Sequence, residues 1–146
     1  MRRLILLGIV AGAMLFSACD STEGAGGGGL EPSAEDQVIM EAYICGFVEN
    51  DNPGGIDNSF FPDDQIYLWM LWDNFYGNHT IRILWVDPNN KIYETERSYD
   101  VKSGRLKTYF WLDTTATAPT GKWFAEVYLD DDFVASYGFW LLVSDY

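Results

Sequence analysis

Histidine and cysteine are scarce in this 146-residue chain, which has one histidine and two cysteines. Because His79 is the only imidazole, the chain cannot assemble a metal site from two or more histidines. A catalytic role for His79 would require a nearby serine nucleophile and a carboxylate, and no nucleophile-elbow motif accompanies it. We therefore expect His79 to begin a strand, with its ring packed or hydrogen-bonded locally. We expect no catalytic residue and no cofactor.

Basic residues are also few, since 9 Lys and Arg stand against 22 Asp and Glu, for a formal net charge of -13. Nucleic acids are bound mainly by clusters of Lys and Arg around their phosphates, so the charge balance excludes a nucleic-acid partner. Direct adhesion to anionic lipid headgroups is disfavoured for the same reason. The acidic residues are spread along the chain, which indicates solubility and mutual repulsion rather than one charged site.

No apolar run in the chain is long enough for a typical membrane-spanning helix. The longest run lies near the start, in "MRRLILLGIVAGAMLFSAC". Two arginines, a short apolar stretch and small residues before Cys19 are the layout of a secretory signal peptide. The stretch is shorter than the roughly 20 residues that a membrane-spanning helix needs. We predict a signal peptide over residues 1–18, and its removal would take away Arg2 and Arg3 and change the net charge from -13 to -15.

The segment "LFSAC", which ends at Cys19, resembles the lipobox of bacterial lipoproteins. Phe16 stands where that family usually has leucine. The resemblance implies that Cys19 is lipidated and becomes the N-terminus, so that the chain is anchored to a membrane of the bacterial cell envelope, outside the cytoplasm. Asp20 resembles the residue that retains lipoproteins in the inner membrane of enteric bacteria, but other bacteria do not follow that rule, so the choice of membrane stays open. The alternative is an ordinary cleaved signal peptide with a disulfide between Cys19 and Cys45.

Residues 19–36, with the run "GAGGGG", have little bulk that could form a core. Such a segment cannot bury enough apolar surface to offset the entropy of ordering it, so we predict a flexible tether.

Residues 37–146 differ in composition from the glycine-rich segment before them, and they are numerous enough to form one domain. Short runs rich in Val, Ile, Tyr, Phe and Trp alternate with turn residues, which is the pattern of β-strands. "VDPNNKIY" and "YLDDDFVA" are hairpin signals, and "DVKSGRL" is a looser corner. We predict an all-β, antiparallel sandwich of seven strands. The strands are "VIMEAYICGFV", "QIYLWMLWD", "HTIRILWVD", "KIYETERSYDV", "RLKTYFWLD", "KWFAEVYLD" and "FVASYGFWLLV".

Alternation within two of these strands predicts which side chains form the core, because neighbouring residues of a strand point to opposite faces. The core set is Ile81, Ile83, Trp85, Trp123, Ala125, Val127 and Leu129.

The segments "GNHTIRILWVDPNNKIY" and "PTGKWFAEVYLDDDFVASYGFWL" resemble the immunoglobulin-like modules at the C-terminal ends of many bacterial secreted proteins and lipoproteins. The resemblance implies an immunoglobulin-like β-sandwich with no catalytic residues of its own. Cys45 lies within an apolar strand, and we expect it to be a small buried side chain rather than a reactive thiol.

Two acidic clusters are weak candidates for a calcium site, because calcium binds six to eight oxygen atoms. One cluster is Asp130, Asp131 and Asp132 at a hairpin tip. The other lies in the loop "ENDNPGGIDN" and contains Glu49, Asp51, Asn52, Asp57 and Asn58. Neither has the spacing of an EF-hand, and acidic turns are common without a metal, so our expectation is that no metal binds.

The strands "QIYLWMLWD" and "KTYFWLD" are apolar on both faces, whereas a sandwich strand usually has one wet face. If the two strands pair, their second faces merge into an aromatic patch of Tyr67, Trp69, Tyr109 and Trp111. Exposed aromatic surface of this kind marks an interaction site. The alternative is that the loop 49–64, with Phe60 and Phe61, folds over the patch.

These features predict a tethered, non-catalytic module that binds another envelope protein. A carbohydrate-binding module with Trp and Tyr rings stacked on sugars is the second interpretation. An enzyme or a calcium-binding accessory domain is the third.

Overall fold

The computed structural model describes residues 37–144, which form seven β-strands and no helix. The predicted all-β fold and the number of strands are confirmed. Within this range no segment is a helix that could cross a membrane. The predicted signal peptide, tether and Cys19 lie outside the described residues. The strands are β1 (Val38–Glu49), β2 (Asn52–Ile56), β3 (Ser59–Phe60), β4 (Gln65–Val86), β5 (Ile92–Asp113), β6 (Gly121–Leu129) and β7 (Asp132–Leu141).

β4 and β5 are each 22 residues long and form one hairpin. Its pairing runs from Val86 opposite Ile92 to Gln65 opposite Asp113. Each of these strands joins two segments that the sequence pattern separates, and β2 and β3 lie in the stretch predicted to be a loop. The strand number is therefore right, but the division of the chain into strands is corrected.

A corner in the middle of the hairpin explains why the sequence suggests a break there. The ladder shifts register on both sides of Phe75, and such bulges bend a strand. Gly77 and Gly104 have φ values of 83° and 77°, a backbone region that glycine enters without steric cost. The chain changes direction at this corner and continues as a strand.

The corner divides the sheet into two layers, which are joined because β4 and β5 run through both. The first layer contains β2, β1, residues 65–73 of β4 and residues 104–113 of β5. The second contains β3, β7, β6, residues 81–86 of β4 and residues 92–97 of β5. All pairs are antiparallel except β3 with β7. The sandwich is thus one seven-stranded sheet curled on itself.

Both layers contribute to one hydrophobic core. All seven side chains that alternation assigned to the core are buried, which confirms that assignment. The largest fully buried side chains are Trp72, Trp85, Trp123, Phe75, Phe110 and Phe139.

The two predicted hairpin turns are also confirmed. In the turn between β4 and β5, one carboxylate oxygen of Asp87 accepts hydrogen bonds from the backbone amides of Asn89 and Lys91, both at 2.8 Å. In the turn between β6 and β7, Asp130 and Asp131 have φ values of 48° and 72°. Two successive left-handed residues are typical of a type I′ hairpin turn.

Candidate functional site

The four residues of the predicted aromatic patch lie side by side on the outer face of the first layer. Tyr67 pairs with Trp111, and Trp69 pairs with Tyr109, across the β4–β5 ladder. The Tyr67 and Trp111 rings lie 6.1 Å apart. Tyr67, Tyr109 and Trp111 are half-buried. The register of the β4–β5 ladder therefore brings the four aromatic residues together, as the sequence predicts.

Trp69 does not face solvent, because it is only 3 % exposed. Its ring stacks on Tyr43 of β1 at 5.9 Å, and its indole N–H donates to the backbone carbonyl of Asp51 at 2.9 Å. The Lys107 ammonium lies 6.0 Å from the ring centre and donates to Asn52 Oδ1 at 2.9 Å. The expectation of four exposed rings is thus corrected at Trp69.

Asp51 and Asn52 belong to the loop that was the alternative cover for the patch. They lie at the turn between β1 and β2, so this hairpin reaches over the outer face of the first layer. Phe60 and Phe61 do not take part as expected: Phe60 packs into the core against Phe139, and Phe61 is exposed.

The β1–β2 hairpin also covers Cys45, which is opposite Tyr67 in the ladder and therefore points to the same face. Cys45 is fully buried, as expected from its apolar strand. Burial raises the pKa of its thiol above the ordinary value of 9.0, and hydrogen bonds to the backbone of Gly54 and Phe47 partly oppose this rise. The thiol is therefore neutral and shielded. Cys45 and Trp69 are buried on the outer face of the first layer and do not belong to the main core cluster.

Cations lie over many of the aromatic rings that the fold leaves near the surface. The Arg97 guanidinium, for example, lies 4.6 Å from the Trp111 ring centre and 5.7 Å from that of Phe110. Contacts of this kind are favourable, and the cation then takes the place on the ring face where a ligand could stack. Five of the seven Lys and Arg of the described range make such contacts: Arg82, Lys91, Arg97, Lys107 and Lys122.

Two of the three acidic residues at the tip of the β6–β7 hairpin, Asp130 and Asp131, contact other side chains of the fold, and Asp132 is exposed. Asp130 accepts from the backbone amide of Thr80 at 2.8 Å and contacts His79 Nδ1 at 2.5 Å. Asp131 forms an ion pair with Arg82 at 3.2 Å. Residues 37–144 contain no group of three His, Cys, Asp or Glu side chains arranged to hold a metal ion.

The second acidic cluster is likewise used to shape its own loop. Asp57 accepts hydrogen bonds from the backbone amides of Asn58 and Ser59. Asn52 accepts from Lys107, as described above.

His79 lies within β4, at its corner, and its ring contacts other parts of the fold. Its second ring nitrogen, Nε2, contacts the backbone carbonyl of Tyr76 at 2.6 Å and the amide of Gln37 at 2.7 Å. Its ring meets that of Phe75 edge to face. The two nitrogens therefore connect the start of β1, the corner and the β6–β7 turn.

Two adjoining cavities of about 470 and 330 Å³ lie along β5 and share Tyr93, Leu112 and Asp113. Their polar side chains are partly committed elsewhere, since Asp87 organises its turn and Thr114 donates to the backbone carbonyl of Asp64. The Lys91 ammonium lies over the Tyr93 ring. These grooves do not present a convergent set of free polar groups.

The outer face of the second layer carries an apolar surface that the sequence analysis missed. Ile92, Val86, Phe124 and Gly138 lie opposite one another on four neighbouring strands, so they form one row across the sheet. Trp140 lies two residues beyond Gly138 on the same face. Ile92, Phe124 and Trp140 are 55 %, 38 % and 46 % exposed. We call Ile92, Val86, Phe124 and Trp140 the open face.

No side chain separates Phe124 from β7 in this row, because its neighbour there is Gly138. A Cβ added at Gly138 would meet Lys122 Cε at 3.1 Å and Phe124 Cε1 at 3.6 Å. The Lys122 side chain and the Phe124 ring therefore share the space above the glycine, with the Lys122 ammonium 5.2 Å from the ring centre. The row runs across strands, so alternation along one strand could not reveal it.

No protein-family model matches the sequence, and no curated protein sequence matches it. Solved structures with a similar fold include an immunoglobulin-like protein from Pseudomonas aeruginosa, with 10 % identity and a TM-score of 0.47 over 78 % of this chain and 100 % of that one. Another is the alkylpurine DNA glycosylase AlkC of Pseudomonas fluorescens bound to DNA with an abasic-site analogue, with 10 % identity and a TM-score of 0.48. The match covers 70 % of this chain and 31 % of the glycosylase chain. Likenesses this distant carry no functional argument.

Proposed function

We propose that this protein is a lipid-anchored, non-catalytic binding module of the bacterial cell envelope, which docks another envelope protein on the open face. The observation that carries the proposal is the group of apolar side chains on one face of four neighbouring strands of the second layer, of which Ile92, Phe124 and Trp140 are exposed. Contiguous apolar surface on a folded domain marks interaction sites, whereas single exposed residues do not. Trp140 is of the residue type that most often anchors a protein interface.

Charge around the open face favours a partner with basic groups. In the next row along the sheet, Leu84 lies between Glu94 of β5 and Glu126 of β6. Lys122 is the neighbouring cation, and its ammonium already lies over Phe124. The whole chain carries -13. A partner with an apolar centre and a rim of Lys or Arg would complement this surface and be steered toward it.

Carbohydrate binding is the second candidate, and Trp140 is the observation that favours it. Its half-exposed indole lies on the outer face of the second layer, where a sugar ring could stack. The aromatic residues that first suggested sugar binding are less suited, because Trp69 is buried and Arg97 lies over Trp111.

The docking proposal is tested by replacing Phe124 and Trp140 together with serine. We expect partner capture by the anchored protein to weaken by about 2 kcal/mol or more for each anchor residue, since a few aromatic side chains carry most of an interface's energy. Phe133→Ser is the matched control, because Phe133 is 59 % exposed but lies at the far end of the same layer.

The experiment is in-cell crosslinking followed by identification of the captured proteins. A partner retained by wild type and by the Phe133 variant, but lost by the double variant, is the expected result. Equal capture by all three proteins would contradict the assignment of the open face. Binding on a glycan array that disappears with Trp140→Ser would replace the protein partner with a sugar.

The lipid anchor is tested separately by Cys19→Ser. We expect membrane retention to be lost, because lipidation at this thiol supplies the apolar chains that hold the protein to the bilayer. Growth with a labelled fatty acid should label the wild type and not the variant. A labelled variant would contradict the lipoprotein assignment.

A further inference from the structure

The outer edge of β5 is unpaired, because within residues 37–144 β5 forms a ladder with β4 alone. Sheet edges expose unsatisfied N–H and C=O groups that can pair with another strand, and charged side chains usually blunt them. Much of β5 has such charges, including Glu94, Glu96, Lys102 and Arg105. Residues 108–112, "TYFWL", have none.

The charges that flank this stretch have opposite signs, with Lys107 before it and Asp113 after it. Both side chains are exposed. An antiparallel pair of identical strands can have its two-fold axis between two copies of the same residue. If the axis passes at Phe110, then Lys107 of one copy faces Asp113 of the other.

The same axis places Thr108 opposite Leu112 and Tyr109 opposite Trp111, and each of these pairings occurs twice. Opposite charges and aromatic pairs across strands both stabilise a sheet. The edge is therefore complementary to itself in one register only, because a shift of the axis away from Phe110 would separate the charged pairs.

We propose that two copies of this chain associate through residues 107–113 of β5, in an antiparallel arrangement centred on Phe110. The first layers of the two copies then form one continuous sheet. On its outer face Tyr67 and Trp111 of one copy continue into Tyr109 and Trp69 of the other. The row of aromatic residues on the first layer is thereby extended across both copies.

In the single chain both charged groups contact their own layer, on the β4 side of β5 and not at its free edge. The Lys107 ammonium contacts Asn52 Oδ1, and Asp113 Oδ1 accepts from the side-chain amide of Gln65 at 2.5 Å. Both side chains are exposed, so they can turn to the free edge and exchange these contacts for the charge pairs of the dimer. The net charge of -13 on each copy opposes association in general. The two pairs of opposite charges at the edge offset this repulsion where the copies meet.

Charge reversal tests the proposal with the full-length protein purified in detergent, by sedimentation over a wide concentration range. Lys107→Asp alone places two pairs of like charges in the dimer, and Asp113→Lys does the same. We expect each single variant to raise the dimer dissociation constant about tenfold or more. Lys122→Asp is the matched control, because it makes the same charge change on β6, and we expect it to leave the dimer unchanged.

The decisive sample is a mixture of the two single variants. In the mixed dimer the aspartate introduced in one copy meets the lysine introduced in the other, and the native Asp113 of the first copy meets the native Lys107 of the second. Both attractive pairs therefore return. We expect the mixture to form dimers as strongly as the wild type, a recovery that a folding defect in either variant could not give. A monomeric wild type, or a mixture that stays monomeric, would overturn the proposal.

Discussion

The outer faces of the two layers have similar apolar content but opposite environments. On the first layer, a hairpin reaches over Trp69 and Cys45 and buries both. On the second layer, Ile92, Phe124 and Trp140 lie on one face and stay partly exposed, and Lys122 is the side chain that lies over Phe124. Apolar composition of a face therefore does not decide whether it is a binding surface. Whether an apolar face is exposed for binding depends on which other segments of the chain pack over it.

The largest expected difference between the two faces is in stability. Trp69→Thr should lower the free energy of unfolding by about 3 kcal/mol or more, since it removes a buried indole and leaves the Asp51 carbonyl without its donor. Trp140→Thr should cost within about 0.5–1 kcal/mol, because threonine suits an exposed strand position. Urea denaturation of both variants measures the difference.

Trp85→Thr is the control for a core tryptophan, and it should be at least as damaging as Trp69→Thr. Equal and small losses for the Trp69 and Trp140 variants would show that the cover over the first layer contributes little, and the contrast between the faces would fail.

Thiol labelling gives a second, smaller measure of the same cover. Cys45 should react with a thiol reagent about a hundredfold more slowly than a cysteine introduced at Ser136, which is exposed on the outer face of the second layer. Both thiols should react at the same rate in urea. Fast labelling of native Cys45 would mean that the β1–β2 hairpin opens readily.

The smallest effect is expected from alkaline pH. Burial raises the pKa of the Cys45 thiol, and burial also raises the pKa of Tyr99 and Tyr137. The unfolded chain then releases these protons at lower pH than the folded chain does, so stability is full below the ordinary thiol pKa and falls as pH rises beyond it. Cys45→Ala should remove the part of this fall that begins nearest the ordinary thiol pKa of 9.0, as followed by urea unfolding at several pH values. An unchanged slope would show that the thiol titrates alike in both states.

Alternation along single strands was enough to find the core, as Ile81, Ile83, Trp85 and Trp123 demonstrate, because period-two patterning is a local property. It also indicated that Tyr67 and Trp111 would share a face. The burial of Trp69 depends on Asp51, a contact made by a different hairpin, and no pattern in "QIYLWMLWD" contains that information.

The open face escaped detection for a related reason. On two of its strands a neighbouring residue on the same face is charged, namely Lys122 two residues before Phe124 and Glu94 two residues after Ile92, and only the register of four strands brings the apolar residues together. The merging of strands at Gly77 and Gly104 was hidden in the same way, since glycine and asparagine there resemble a turn while the backbone continues as a bent strand.

The continuous β4–β5 hairpin has a consequence for the order in which the chain folds. Its turn at residues 87–91 closes a very short loop, and each further pair toward Gln65 and Asp113 encloses a longer one. The entropy lost on closing a loop grows with its length, so pairing is easiest next to the turn and hardest at the far ends. Within this hairpin the second-layer pairs, such as Val86 with Ile92, are therefore the easiest to form, and the first-layer pairs, such as Gln65 with Asp113, follow as extensions of the same ladder.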